Sequence, residues 1–297
     1  MMKPIFVFGS ARSGTTLFQR ILNSYSDILI WGEHAGFLRP LSESFYRVWE
    51  ESQIFEDPKY WREKLFQVKD YRSPQIFMNP FTQDEFLSSF RSFMKDMFIP
   101  ADIGDKNFWG FKEISYLRLE KDRTLDFLHL CFPEAIFVFI IRDPFNVLAS
   151  HLSRANIPKT IIRLKRICSD WRKQNSCFWE WHGSGKLRSF WIRYEDLIQG
   201  QREIHSLLEA IGKKWGEKQE SVLKDNEDRG SRFQNANYNE RWKTLPPSWL
   251  AFGRIFLKSF CKKMKYPLPQ HSITMEIQGI VLFILLFLRE LPSGIGK

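Results

Sequence analysis

Four apolar runs punctuate the chain, each closed by a glycine or a charged residue. Ile5–Phe8 runs into Gly9, Ile28–Trp31 into Gly32-Glu33, Phe108–Phe111 into Lys112, and Ala135–Ile141 into Arg142. The last is a continuous apolar stretch, the pattern of a central parallel strand buried on both faces. Leu187–Arg193 reads as a further strand. Between the runs the texture is helical. A helix begins near Thr15. The stretch Phe37–Phe98 is helical with breaks at Pro58 and around Pro74 to Pro80. Another helix covers about Leu117–Leu130 and stops at Pro133. Asp225–Pro247 reads as a loop, because Asn226, Gly230, Asn235 and Pro246 interrupt any period. Strands alternating with helices predict an α/β fold, a parallel sheet flanked by helices. Ligands bind such sheets beyond the C-terminal strand ends, and Gly9–Gly14, Glu33, Lys112 and Arg142 all fall at those ends.

The segment after the first run is Gly-Ser-Ala-Arg-Ser-Gly-Thr-Thr, residues 9–16. A strand, a tight Gly-bounded loop and a helix start bring backbone N–H groups and a helix N-terminus around one point, a phosphate or sulfate site. Gly9 and Gly14 have the spacing of a nucleotide-triphosphatase loop, but Thr15 stands where its lysine would be, and Arg12 carries the positive charge. Ser10, Ala11, Arg12, Ser13, Gly14, Thr15 and Thr16 are therefore candidate anion-binding residues. An ordinary Gly-rich turn is the alternative.

A second constellation follows the Ala135–Ile141 run. Arg142 ends the strand, Asp143 suits an N-cap and Pro144 a first helical position. Ser150 and Arg154, four residues apart, share a helix face. Two guanidiniums and a hydroxyl suit a phosphate monoester, which Arg binds in bidentate fashion. A capped helix with chance polar residues is the plainer reading.

The 297 residues suit one α/β domain, 1–297, with insertions; two small domains are the alternative. The chain is 43% apolar and 16% aromatic, enough for a sizeable core that takes most of the aromatics, with some left to wall a ligand pocket. The net charge of +10 is spread in short clusters such as Lys213-Lys214 and Lys262-Lys263 rather than in a nucleic-acid-binding tail. The cysteines Cys131, Cys168, Cys177 and Cys261 show no metal-ligand spacing and read as reduced, mostly buried thiols of a cytoplasmic protein. The N-terminus lacks the apolar stretch of a signal peptide. Gly279–Leu288 is uncharged but too short to span a bilayer. It reads first as a buried helix, with a homodimer or membrane-surface contact as the alternatives.

Gly-x-x-Arg-Ser-Gly-Thr-Thr-Leu resembles the 5′-phosphosulfate loop of sulfotransferases that use 3′-phosphoadenosine 5′-phosphosulfate (PAPS). Arg142-Asp143-Pro144 with Ser150 resembles their 3′-phosphate motif, and the two motifs occur in the family's order. Arg193-Tyr194-Glu195-Asp196-Leu197 resembles a segment whose Tyr, here Tyr194, lies near the adenine. Arg241-Trp242-Lys243 resembles a basic loop that closes over the nucleotide. The similarity runs from about residue 4 to about 245 and is closest to the tyrosylprotein and bacterial branches. It implies a sulfotransferase-type, P-loop-like fold, with a helical acceptor-side insertion at about 37–103 and a helical segment at about 248–297.

The resemblance also implies PAPS as co-substrate, no metal, and sulfuryl transfer to a hydroxyl or amine of a small intracellular molecule such as a secondary metabolite. Glu33 matches the catalytic base of the tyrosylprotein branch. His34 is the alternative, since cytosolic members use a His base, but strand alternation turns it away if Glu33 faces the site. A carboxylate among aromatics suits base duty. Arg12, which sits in the loop, and Lys112, which loosely matches a Lys that the family places near the transferred sulfuryl group, are the candidate leaving-group stabilisers, and Glu113 either pairs with Lys112 or points outward. Two other readings stand beside this one. One is a P-loop kinase or nucleotidase, disfavoured by Thr15 and Arg142. The other is a catalytically silent nucleotide- or membrane-surface-binding protein.

Overall fold

A computed structural model describes residues 2–52, 57, 59–60, 63, 82–101, 103–116, 123–153, 160–199, 202–231, 241–269, 277, 280–281 and 284–285. The first apolar run forms β1 (Lys3–Gly9), followed by α1 (Thr15–Asn23) and β2 (Ile28–Trp31). Helices α2 (Leu38–Ser52) and α3 (Gln83–Phe98) precede β3 (Phe108–Glu113), α4 (Thr124–Cys131) and β4 (Ile136–Ile141). Then come α5 (Pro144–Leu152), α6 (Ile161–Gly183), β5 (Ser189–Arg193), α7 (Tyr194–Ile198), α8 (Arg202–Ala210) and α9 (Glu217–Ser231). A 3-10 turn (Arg241–Thr244) and α10 (Pro247–Lys263) follow.

The five strands form one parallel sheet in the order β2-β3-β1-β4-β5. β1 is central, so its C-terminal end, where Gly9 opens the loop, lies between the ends of β3 and β4. This is the parallel α/β sheet with flanking helices that the run spacing predicts, in the P-loop-like form that the resemblance implies. The two faces of the sheet differ in chemistry because side chains alternate along a strand. Phe6, Phe8, Trp109, Phe111, Phe137 and Phe139 pack on one side with residues of α2, α3 and α4. Ile5, Val7, Ile136, Val138 and Ile140 pack on the other with residues of α1 and α8. Most of the chain's many Phe rings are thus core, as edge-to-face and tilted pairs such as Phe6–Phe132 at 5.8 Å and Phe8–Phe139 at 6.2 Å. A third cluster joins α5, α6 and α10 around Phe145, Trp171, Phe252 and Phe260.

Three expectations change. The helix expected over 117–130 is observed from Thr124, with 117–122 outside the described residues. The loop expected over Asp225–Pro247 is helical at its start, because α9 runs to Ser231. Its opening Glu-Lys-Gln-Glu and the Val222-Leu223 pair are helix-compatible, and one Asn and one Gly cost only about 1 kcal/mol or less each. Third, Gly279–Leu288 is not a buried helix at its described positions: Ile280, Val281, Ile284 and Leu285 are helical and about half exposed. The breaks expected at Pro58 and Pro74–Pro80 lie outside the described residues. No disulfide joins the cysteines; three are buried and Cys177 is half-buried.

Candidate functional site

The loop after β1 is folded back tightly. Ser13 N–H donates to Ser10 O at 3.1 Å, and Arg12 sits at φ 71°, a left-handed conformation that is strained for a residue with a side chain. Gly14 takes φ 96° and lies on the Tyr194 ring, where only a glycine fits: a Cβ there would stand 2.7 Å from Cε2. Gly14 also precedes α1, whose first turn carries no acidic residue, so its N–H groups and dipole remain for an external anion. Ser10 Oγ and Ser13 Oγ are fully buried and meet no hydrogen-bond partner among the described residues. Buried hydroxyls of this kind normally find a partner. A phosphate or phosphosulfate oxygen would supply one, so the loop fits the anion that its sequence predicts. Thr15 is buried, Ala11 half-buried, and Thr16 and Arg12 are exposed.

The second constellation meets the first directly. Arg12 Nε donates to Ser150 Oγ at 3.0 Å, across 138 residues of chain. Arg142 donates to Arg12 O at 3.4 Å, and its guanidinium lies 4.2 Å from the Tyr194 ring centroid. The loop, the β4 end, the face of α5 and Tyr194 therefore form one basic patch. Arg154 lies outside the described residues. The 3-10 turn packs on α5, where Trp242 N–H donates to Asn146 Oδ1 at 3.1 Å. Arg241 stands near enough to Arg142 for the two charges to repel, while Lys243 is exposed above the Trp242 ring.

The patch rests on buried acids. Asp143 caps α5, accepting from Asn146 N–H at 2.8 Å, and Asp143 N–H donates to Glu195 at 2.9 Å. Tyr266 OH also donates to Glu195. Burial pushes the Asp143 carboxyl up to about 7, and burial raises Glu195 as well.

At the ends of β2 and β3, Lys112 donates to Glu33. Lys112 is nearly buried; Glu33 is 41% exposed, so its carboxylate is not enclosed among aromatics as the sequence suggested. His34 turns the other way. Its Nε2 meets Tyr116 OH, and the ring lies edge-on to Phe111 and Phe37 at 4.5 and 5.0 Å between centroids. Burial lowers His34 below its usual value, against the opposing pull of Glu113 and Glu33, so the ring is neutral at pH 7. Glu113 neither pairs with Lys112 nor points outward. Its buried carboxylate accepts from the N–H groups of Gly36, His34, Ile114 and Ser115 at 2.7–3.2 Å. Burial alone would raise Glu113; the N–H donors of Ile114 and Gly36, with His34 beside them, outweigh it and hold the acid below its usual value. Glu113 thereby fixes the turn that carries Glu33. A cavity of about 420 Å³ lined by Glu43, Tyr46, Arg47, Glu50, Glu51 and Arg123 contains none of these residues.

With that geometry in place, the family model for the sulfotransferase family matches residues 4–217, from β1 to the first residue of α9. The chain belongs to the sulfotransferase family. Three solved sulfotransferases are similar to it. The sulfotransferase domain of a Synechococcus olefin synthase is 15% identical, with 96% of this chain and 95% of that one covered and a TM-score of 0.43. A Mycobacterium avium sulfotransferase is 13% identical, with 91% and 79% covered and a TM-score of 0.43. A Mycobacterium tuberculosis sulfotransferase is 15% identical, with 82% and 77% covered and a TM-score of 0.37. A comparison with curated protein sequences finds no match.

Membership makes the protein a transferase of sulfuryl groups. Sequence reasoning named the loop, Arg142, Ser150, Lys112 and Glu33, which the structure places at the strand ends or on α5, but it misread the partners of Glu113 and did not single out Tyr116, Asn146 or the Asp143–Glu195 link. Asn146 carried a signal, being the one polar residue in Pro144–Ala149. Glu113 carried a weaker one, an acid at the end of an apolar strand.

Proposed function

We propose that this sulfotransferase moves a sulfuryl group from PAPS to a hydroxyl or amine of an intracellular small molecule, a secondary metabolite, with Glu33 as general base. The observation that carries the proposal is the Arg12–Ser150 hydrogen bond. It ties the phosphosulfate-type loop to the helix of the 3′-phosphate-type motif, so one nucleotide with phosphates at both its 3′ and 5′ positions would engage both. Unbridged cysteines suit a reducing, cytoplasmic setting.

PAPS supplies an electrophilic SO₃ unit on a phosphate leaving group. Ser10, Ser13 and the N–H groups at the start of α1 would hold the 5′ end, with Arg12 alongside. Arg142, Ser150 and Arg241 would hold the 3′-phosphate, and Tyr194 would form the wall beneath Arg142. In the transfer, the sulfur–oxygen bond to the phosphate breaks as a bond from sulfur to the acceptor oxygen or nitrogen forms. Glu33 takes the acceptor proton, and Lys112 and Arg12 stabilise the charge left on the phosphate. Glu33 is favoured over His34 as base because its carboxylate reaches solvent beside Lys112, whereas the His34 ring is held by Tyr116 among aromatics.

Calorimetry with 3′,5′-diphosphoadenosine and 5′-AMP tests the nucleotide. A charge-assisted contact to the 3′-phosphate is worth roughly 1.5–3 kcal/mol, so the diphosphate should bind about 10–150-fold more tightly. Equal affinities would refute the PAPS assignment, and turnover of Mg-ATP would favour a kinase. Diphosphate binding without consumption of PAPS in the presence of acceptor extracts would indicate a silent binding protein.

A further inference from the structure

The end of the chain is basic and apolar in a way that sulfuryl transfer does not use. From Thr244, past the basic turn given to the nucleotide, to Lys297 there are seven Lys and Arg and only two Glu, so five of the ten net positive charges lie there. No acidic residue occurs between Arg241 and Met275. In α10 the cations are sorted by helical geometry. Phe252, Leu257, Phe260, Cys261 and Met264, just past its end, are buried against the α5 and α6 cluster, while Ile255, Lys258, Lys262, Lys263 and the following Lys265 are exposed.

The apolar segment adds a second, independent feature. Ile277, Ile280, Val281, Ile284 and Leu285 are helical, and each is about half exposed. Their spacing of i, i+3, i+4, i+7 and i+8 places them on one helix face. Five branched apolar side chains in one exposed stripe call for a covering partner. No described helix is long and apolar enough to cross a membrane. An exposed apolar stripe following a lysine-bearing face is the composition of an element that lies in a negatively charged lipid interface.

We propose that the lysine face of α10 and the Ile277–Leu285 stripe together dock the protein on an anionic lipid surface. The lysines meet lipid phosphates and the stripe enters the headgroup–acyl boundary. Because α10 packs on α5, which carries Ser150, the docked surface lies one helix away from the nucleotide site.

Flotation of the full chain with vesicles tests this, with no dependence on activity. Vesicles of phosphatidylcholine with about 30% phosphatidylglycerol should carry the protein upward, and phosphatidylcholine alone should not; salt should release it. Lys262→Gln with Lys263→Gln should weaken binding about 25-fold, since each lysine near an anionic surface is worth about fivefold. Ile280→Ser with Ile284→Ser should abolish flotation while leaving the melting temperature unchanged, because both side chains are already half exposed. The proposal is overturned if the wild type does not float with anionic vesicles. It is equally overturned if the serine variant melts earlier, which marks a core helix, or converts a dimer to a monomer by light scattering, which makes a second copy the occupant.

Discussion

Gly14→Ala perturbs a position where the loop after β1 lies against the Tyr194 ring, which also carries the Arg142 guanidinium. The added methyl meets two costs. Gly14 has φ 96°, and a left-handed backbone costs a residue with a Cβ about 1–2 kcal/mol. The methyl would also stand 2.7 Å from Tyr194 Cε2. Tyr194 is buried and cannot yield freely, and overpacking of this kind costs about 1–3 kcal/mol. Together the change should destabilise the fold by about 2–5 kcal/mol, a fall of roughly 3–8 °C in melting temperature for a chain of this size. If Tyr194 instead swings away, the stability loss shrinks, but the ring leaves the Arg142 guanidinium that it supports at 4.2 Å. Affinity for 3′,5′-diphosphoadenosine should then fall by tenfold or more. Calorimetric melting and nucleotide titration read the two routes separately. A double-mutant cycle with Tyr194→Ala isolates the clash: in that background Gly14→Ala should retain only the backbone cost. A Gly14→Ala protein that melts within a degree of wild type and binds the nucleotide equally well would refute this account of the loop.

Glu33→Gln should lower turnover of PAPS with acceptor by about 10²–10⁴-fold and leave nucleotide affinity nearly unchanged, while His34→Asn should retain turnover; the reverse outcome assigns the base to His34. Glu113→Gln should leave nucleotide affinity alone but lower kcat, and it should cost about 1–3 kcal/mol because buried N–H groups lose their acceptor; unchanged kcat and melting would remove its positioning role. The Asp143 carboxyl is pushed by burial from 3.8 to about 7, and Glu195 is raised too. Their folded forms hold the proton more tightly than the unfolded chain, so this contribution to stability is full below about pH 4 and is lost as pH rises towards 7. Asp143→Asn should flatten that part of the melting-temperature profile, and a profile identical to wild type would contradict the raised acid.

How much of this was legible follows from where the information lies. The strands could be read because a parallel strand covered on both faces must be apolar throughout, as Ile136–Ile141 is. The loop could be read because its glycines, arginine and threonines are contiguous. The end of α9 could not, because Asn226 and Gly230 signal a break locally while the preceding helix-forming residues carry the helix through them. Glu113 could not, because its role depends on the backbone of residues 34–36, which sequence separates from it by nearly eighty positions. The orientation of Ile277–Leu285 could not, because periodicity shows that a stripe exists and says nothing of what covers it.

The pairing of Lys112 with Glu33 gives the proposed chemistry an internal logic. A nearly buried lysine without a counter-ion would be costly, and Glu33 supplies that counter-ion. The same pair restrains the lysine: while Glu33 is ionised, part of the Lys112 charge is committed to it. When Glu33 takes the acceptor proton, the carboxylate becomes neutral and that commitment ends. The full charge of Lys112 is then available to the phosphate oxygen at the moment when negative charge develops there. On the proposed assignment, proton removal at the acceptor and charge stabilisation at the leaving group would be coupled through one hydrogen bond. Glu113 contributes by holding the turn from His34 to Gly36, which keeps Glu33 against Lys112 and turns His34 into the aromatic cluster. A histidine base at position 34 would lack this coupling, since its ring is hydrogen-bonded to Tyr116, whereas Lys112 donates to Glu33.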